Sequence, residues 1–229
     1  MSRTFVIGDI HGALLALRQC LFRASFDYEN DRLICLGDVC DGWPETRGCV
    51  DELLSIKNLI YILGNHDLCA LDWMRTGQAD DTWLTQGGDA TIQSYQDGIP
   101  KKHIQLFRQA KLYHLESGKL FVHAGIDPQQ SLQYQTRQTF LWDRRIAYKA
   151  LDYHTRKING NITQFDEVYI GHTPIDSDTP IFSCGVWLMD TGAGWSGTLS
   201  LMNIETKEVF TSQPVPSLYP KVMGRMKTG

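Results

Sequence analysis

Three acids, an asparagine and four histidines recur in short glycine-containing bursts: Asp9 and His11 in GDIHG, Asp38 and Asp41 in GDVCDG, Asn65 and His66 in GNHD, His123 in VHAG, and His172 in GHTP. Asp9 and His11 are separated by one residue, a spacing that points both side chains to one side of an extended backbone and suits one divalent metal. Asp38 has two carboxylate oxygens and can bridge that metal to a second. Asn65, His123 and His172 would complete the second shell through an amide oxygen and two imidazoles. The donors mix nitrogen and oxygen without thiolate, which fits manganese, iron or zinc better than calcium, and manganese is the ion we expect. Two metals about 3.5 to 4 Å apart can hold a bridging hydroxide as nucleophile and clamp an in-line phosphoryl transfer, so no nucleophilic side chain is required. His66, beside Asn65, then falls on the leaving-group side, with Asp41 placed to keep its imidazole protonated and oriented as general acid.

Each motif alone has an ordinary reading. Gly, Asn and Asp tolerate left-handed backbone, so a single GD or NH pair is usually a turn. His172 before Thr173 and Pro174 could be a satisfied loop histidine, and Asp190 in DTGA could merely close a turn. Jointly, these readings must explain why metal-ligand residue types follow one apolar run after another in an order that supplies two shells. Cys40 reads as a packing residue. Trp73, Trp83 and Trp142 read as core or cap packing, and the Asn161-Ile162-Thr163 sequon carries no meaning without a secretory leader.

The runs that must position these residues are 4–7, 33–36, 59–63, 120–122, 168–170 and 186–189, brief and aliphatic like buried strands. In open α/β sheets, ligands gather beyond the carboxyl ends of strands. Residues 13–24 carry Leu14, Leu17, Leu21 and Phe22 at helical spacing, and residues 49–56 repeat the pattern with Val50, Leu53 and Leu54. Strand, helix, strand, helix, strand implies parallel pairing. Residues 71–112 read as a helix-prone insert broken at Gly87, Gly88, Gly98 and Pro100, able to cap the site. A second insert, 129–164, holds Phe140, Leu141, Trp142, Arg144 and Arg145 before a helix ending near Asn159 and Gly160. Residues 198–204 and 209–211 read as an antiparallel hairpin, and the tail from Ser212 to Gly229 as extended. Without repeats or a low-complexity linker, residues 1–229 read as one domain.

The chain of 229 residues has a net charge of -4. That balance argues against a broad nucleic-acid surface. The six cysteines form no CxxC pair, which fits a reduced cytoplasmic protein. No apolar stretch approaches the roughly 20 residues that span a bilayer.

The ordered set GDIHG, GDVCDG, GNHD, VHAG and GHTP resembles the calcineurin-like metallophosphoesterases. Within them it is similar to the compact bacterial and phage serine/threonine protein phosphatases of the PPP type, with FLWDR at 140–144 and MDTGA at 189–193 adding to the match. The resemblance implies an α/β fold with a central β-sandwich flanked by helices, two divalent metals, usually manganese, and hydrolysis of phosphomonoesters. It assigns Asp9, His11 and Asp38 to one metal, and Asp38, Asn65, His123 and His172 to the other. It makes His66 and Asp41 the acid pair, and Arg144 with Asn65 the binders of substrate phosphate. Where the PPP phosphatases have DRG, this chain reads Asp41-Gly42-Trp43. A guanidinium gives phosphate bidentate bonds that glycine cannot replace, which leaves Arg47, Arg144 or Arg145 to compensate, or a different preferred ester.

The expected substrate is a phosphorylated protein, with serine or threonine as the modified residue and tyrosine a further option. A dinucleoside polyphosphate is the alternative, since symmetrical bis-tetraphosphatases share the core motifs, although their GDLVARG segment is absent. A regulatory protein that binds metal without turnover is a third reading, motivated only by Gly42.

Overall fold

A computed structural model describes residues 2–222, 224 and 225. The chain opens as β1 (Thr4–Ile7), α1 (Leu14–Arg23), β2 (Arg32–Cys35), α2 (Thr46–Leu54) and β3 (Asn58–Tyr61). Helices α3 (Asn65–Thr76), α4 (Asp81–Trp83), α5 (Asp89–Ser94) and α6 (Lys101–Gln109) follow, then the hairpin β4 (Tyr113–Glu116) and β5 (Lys119–Val122). After α7 (Arg137–Trp142) and α8 (Arg145–Thr155) come β6 (Glu167–Ile170), β7 (Ile181–Ser183), β8 (Val186–Leu188), β9 (Ser200–Asn203), β10 (Val209–Thr211) and α9 (Val215–Leu218).

The strands form two five-stranded sheets, ordered β10-β9-β1-β2-β3 and β4-β5-β6-β8-β7. β1, β2 and β3 pair in parallel, as do β5, β6 and β8. β9 and β10 form the antiparallel hairpin read from the sequence, and β9 continues the first sheet against β1.

Period-two alternation explains why the apolar runs are continuous. Phe5 and Ile7 pack with the α1 and α2 side chains, whereas Val6 joins Ile34, Phe121, Tyr169 and Met202 between the sheets. In the second sheet Leu120, Val122, Val168 and Ile170 pack with Ile146, Ala147 and Ala150 of α8. Strands buried on both faces need apolar residues at every position. The inter-sheet layer is centred on Phe121 stacked on Tyr169, with centroids 4.7 Å apart and planes 11° from parallel. The α/β/β/α sandwich is thus the expected fold.

Three expectations need correction. The first insert does not begin at Leu71, because α3 starts at Asn65 and carries that residue inside it. Strands β4 and β7 were not anticipated; each lies at a sheet edge, where half-exposed sequences such as YHLE lose the buried-strand signature. The tail from Ser212 is not wholly extended. Pro214 and Pro216 fix backbone angles suited to a first helical turn, and Val215–Leu218 form one. Of that segment, Met223 and residues 226–229 lie outside the described residues. Among the described residues no helix is long and apolar enough to cross a membrane.

Candidate active site

The parallel strands of both sheets deliver their carboxyl ends to one cleft. Asp9, His11, Asp38, Asn65, His66, His123 and His172 are all buried there. Ligand atoms of Asp9, His11 and Asp38 lie within 4.8 Å of one another, and so do those of Asp38, His123 and His172. Asp38 belongs to both groups, the position a bridging carboxylate would take. Asn65 Oδ1 is 3.0 Å from His123 Nε2, which is itself 3.4 Å from Asp38 Oδ2.

Local backbone geometry turns these side chains inward. His11, Asp38, Asp41 and His172 have φ of 51°, 48°, 74° and 62°, the left-handed region that L-residues seldom occupy. Four such residues at one site mark stored strain where function gathers. Gly64 and Gly171 are required by close approach. A Cβ on Gly64 would collide with the carboxylate and backbone nitrogen of Asp38, and one on Gly171 with the Asp9 carboxylate.

Partners outside the cluster fix each ring. His11 Nδ1 donates to the Cys40 carbonyl at 2.9 Å and His123 Nδ1 to the Leu36 carbonyl at 2.8 Å, leaving both Nε2 atoms toward the cleft. His66 N donates to Asp38 Oδ1 at 2.9 Å, so the α3 N-terminus supports that carboxylate. Asp67, the last residue of GNHD, accepts from the backbone nitrogens of Asp38 at 2.9 Å and Gly64 at 3.0 Å and from the Tyr61 hydroxyl at 2.8 Å. It locks two site loops together, a role sequence reasoning missed although the motif displayed the residue.

The donor set fits a divalent cation. His172 Nε2 is buried with no hydrogen-bond partner, a costly state that a metal would relieve. Burial and the neighbouring Asp190 push the Asp9 carboxyl well above its ordinary range. Burial also acts to raise Asp38, but His123 and His66 outweigh it and hold that carboxyl well down. Burial lowers His123, yet Asp38 and Asp9 lift it to about 9. Burial, His123 and Arg144 drive His172 down to about 2. The carboxylates of Asp9 and Asp38 and the neutral imidazoles of His11 and His172 converge on positive charge, which the His123 proton supplies here and a cation would supply in its place.

His66 Nδ1 lies 2.6 Å from Asp41 Oδ2, and Asp41 is wholly buried. Asp41 also accepts from Trp83 Nε1 at 2.7 Å and Thr91 Oγ1 at 2.8 Å. Trp83 therefore does more than pack the cap. The cleft, about 380 Å³, is lined in part by Asn65, His66, Trp142, Arg144, Asp190 and Trp195. Trp142 and Asp190, read as packing and turn residues, thus face the site. Arg145 does not: its side chain is 67% exposed and bound to Asp143 at 2.5 Å. Arg47 is not among the cleft residues either. The cleft is instead lined by Arg225 as well as Arg144, and Arg225 Nη1 is 3.2 Å from His11 Nε2.

A profile of the calcineurin-like phosphoesterases matches residues 2–177, and the chain belongs to that family. It is 30% identical to serine/threonine-protein phosphatase 1 of Salmonella typhimurium, over 88% of this chain and 91% of that protein. It is 25% identical to the symmetrical bis(5'-nucleosyl)-tetraphosphatase of Pseudomonas fluorescens, over 95% of this chain and 98% of that protein. A solved structure of a candidate diadenosine tetraphosphatase superposes with a TM-score of 0.71 at 18% identity, covering 93% of each chain, and so shares the fold. The protein is a metal-dependent hydrolase of phosphoesters.

Proposed function

We propose that this protein is a phosphoprotein phosphatase that releases phosphate from serine or threonine side chains with two divalent ions, manganese by preference. The observation that carries this reading is the buried His66–Asp41 pair set beside six convergent ligand-type side chains in one cleft. Asp9, His11 and Asp38 would hold one ion, and Asp38, Asn65, His123 and His172 the other. When bound, the ions supply an activated water and neutralise charge on the phosphate oxygens.

The remaining work falls to protein groups. Arg144 and the Asn65 amide orient the phosphate from the cleft wall. His66, held through Nδ1 by Asp41, presents its other nitrogen to the leaving oxygen and protonates it as the ester bond breaks. Buried surroundings limit reorganisation as charge develops.

A peptide substrate is favoured by the shape beside the site. A second cavity of about 500 Å³ shares Pro174 and Trp195 with the first and runs past Asp176 and Asp178, a path along which an extended peptide can lie. The nucleotide reading draws on Trp142, an aromatic wall able to stack a base. Turnover of a phosphoserine peptide against diadenosine tetraphosphate, with manganese and equal enzyme, separates the two. A higher kcat/KM on the peptide supports the proposal, and a higher value on the dinucleotide transfers the assignment to the second reading.

A further inference from the structure

The C-terminal segment crosses the molecule to reach the cleft. Val215 N donates to the Gly197 carbonyl at 2.9 Å, and Tyr219 stacks on Trp43 with centroids 5.2 Å apart. The Tyr219 hydroxyl donates to Glu45 at 2.5 Å and accepts from Leu15 N at 2.9 Å. Gly224 lies against the Trp43 ring, where a Cβ would come within 2.6 Å of Cζ2, and Arg225 N donates to the Gly194 carbonyl at 3.0 Å. These contacts aim the Arg225 side chain inward.

Gly42 makes the room. A Cβ there would stand 2.8 Å from Arg225 Cγ, so a side chain at position 42 would require the arginine to shift from this position. The guanidinium packs over the Trp195 ring, 4.5 Å from its centroid. Among the described residues its hydrogen bonds are Nε to the Gln86 carbonyl at 3.1 Å and Nη1 to His11 Nε2 at 3.2 Å. It forms no salt bridge there, which leaves most of its N–H donors uncommitted at a half-buried position on the cleft wall. Burial lowers the Arg225 guanidinium while Asp38, Asp41, Asp190 and Asp9 act on it only from a distance, and the cleft it faces also holds Arg144. His11 Nε2 cannot both hold a metal and accept from Arg225, so metal loading frees a further donor.

Building on the phosphoester-hydrolase reading, we infer that Arg225 binds the substrate phosphate, brought to the cleft by the C-terminal segment and working opposite Arg144. The forked guanidinium gives two parallel bonds to phosphate oxygens, which an ammonium cannot copy.

The test uses the full-length, manganese-loaded protein and its Arg225→Ala and Arg225→Lys variants. Calorimetry measures orthophosphate affinity, elemental analysis measures metal content, and kinetics on a small aryl phosphate separate kcat from KM. Arg225→Ala should weaken orthophosphate binding about 10- to 100-fold with metal content unchanged. Arg225→Lys should recover only part of that loss. Unchanged orthophosphate affinity in Arg225→Ala overturns the inference while leaving the hydrolase reading intact. A gain in activity in that variant also overturns it, since the arginine would then be an obstruction. Wild-type protein that loads manganese but neither binds orthophosphate nor hydrolyses the aryl ester refutes the hydrolase reading itself.

Discussion

Asp41 Oδ2 sits 2.6 Å from His66 Nδ1 and 2.7 Å from Trp83 Nε1, so one buried oxygen orients the proposed acid and ties it to the helical cap. The cap and the acid are thereby coupled through a single carboxylate. Proton donation matters most when the leaving oxygen is a poor leaving group. His66→Asn should keep both metals and reduce kcat about 10²- to 10⁴-fold on alkyl phosphates, with a smaller loss on activated aryl esters. Rates across a series of leaving groups give the slope, and equal losses throughout would remove His66 from the acid role.

Gly64 sets the distance between the α3 N-terminus and Asp38. Gly64→Ala would push a methyl group into the carboxylate that both proposed shells share. Metal affinity should fall at least about tenfold, as when supporting groups of a metal site are disturbed. Titration with manganese checks this, and wild-type affinity would show that Asp38 has room to move.

Phe121 stacks on Tyr169 between the sheets and is 1% exposed. Phe121→Ala should cost about 3 to 5 kcal/mol, the transfer loss plus the cavity left in a layer with sheets on both sides. Urea unfolding monitored by circular dichroism reads the change. A loss below about 1 kcal/mol would mean the layer collapses to fill the gap.

Asp31 tests electrostatics far from the cleft. Burial raises its carboxyl, but hydrogen bonds from the Arg3 side chain and from the backbone of Asp27 and Arg3 outweigh that and lower it overall. A carboxyl lowered on folding contributes stability above its unfolded value of about 3.9, and loses it as pH falls through the lower folded value. The Tm gap between wild type and Asp31→Asn should therefore be full near about pH 6 and shrink below about pH 4. A gap independent of pH would remove the ion pair from the explanation.

The ligand-type residues were legible because each motif is local: a run of apolar residues followed directly, or across a glycine, by the polar side chains. Asp9, His11, Asp38, Asn65, His66, His123 and His172 announce themselves this way, and the structure gathers them. The double-faced burial of β1, β2, β5 and β6 made those strands equally legible. Other parts depend on contacts that no local pattern encodes. Arg225 meets His11 across 214 positions, and Trp83 meets Asp41 across 42. Asp67 looked like the end of a turn because its partners are backbone nitrogens of another loop. Edge strands β4 and β7 hide for a different reason, since one open face removes the demand for continuous apolar residues.

Metal dependence tests the central claim most directly. Protein stripped by chelation should release no phosphate from a phosphoserine peptide, and stoichiometric addition of manganese should restore turnover, with calcium failing to do so. Full activity in protein shown by elemental analysis to be metal-free would contradict the account.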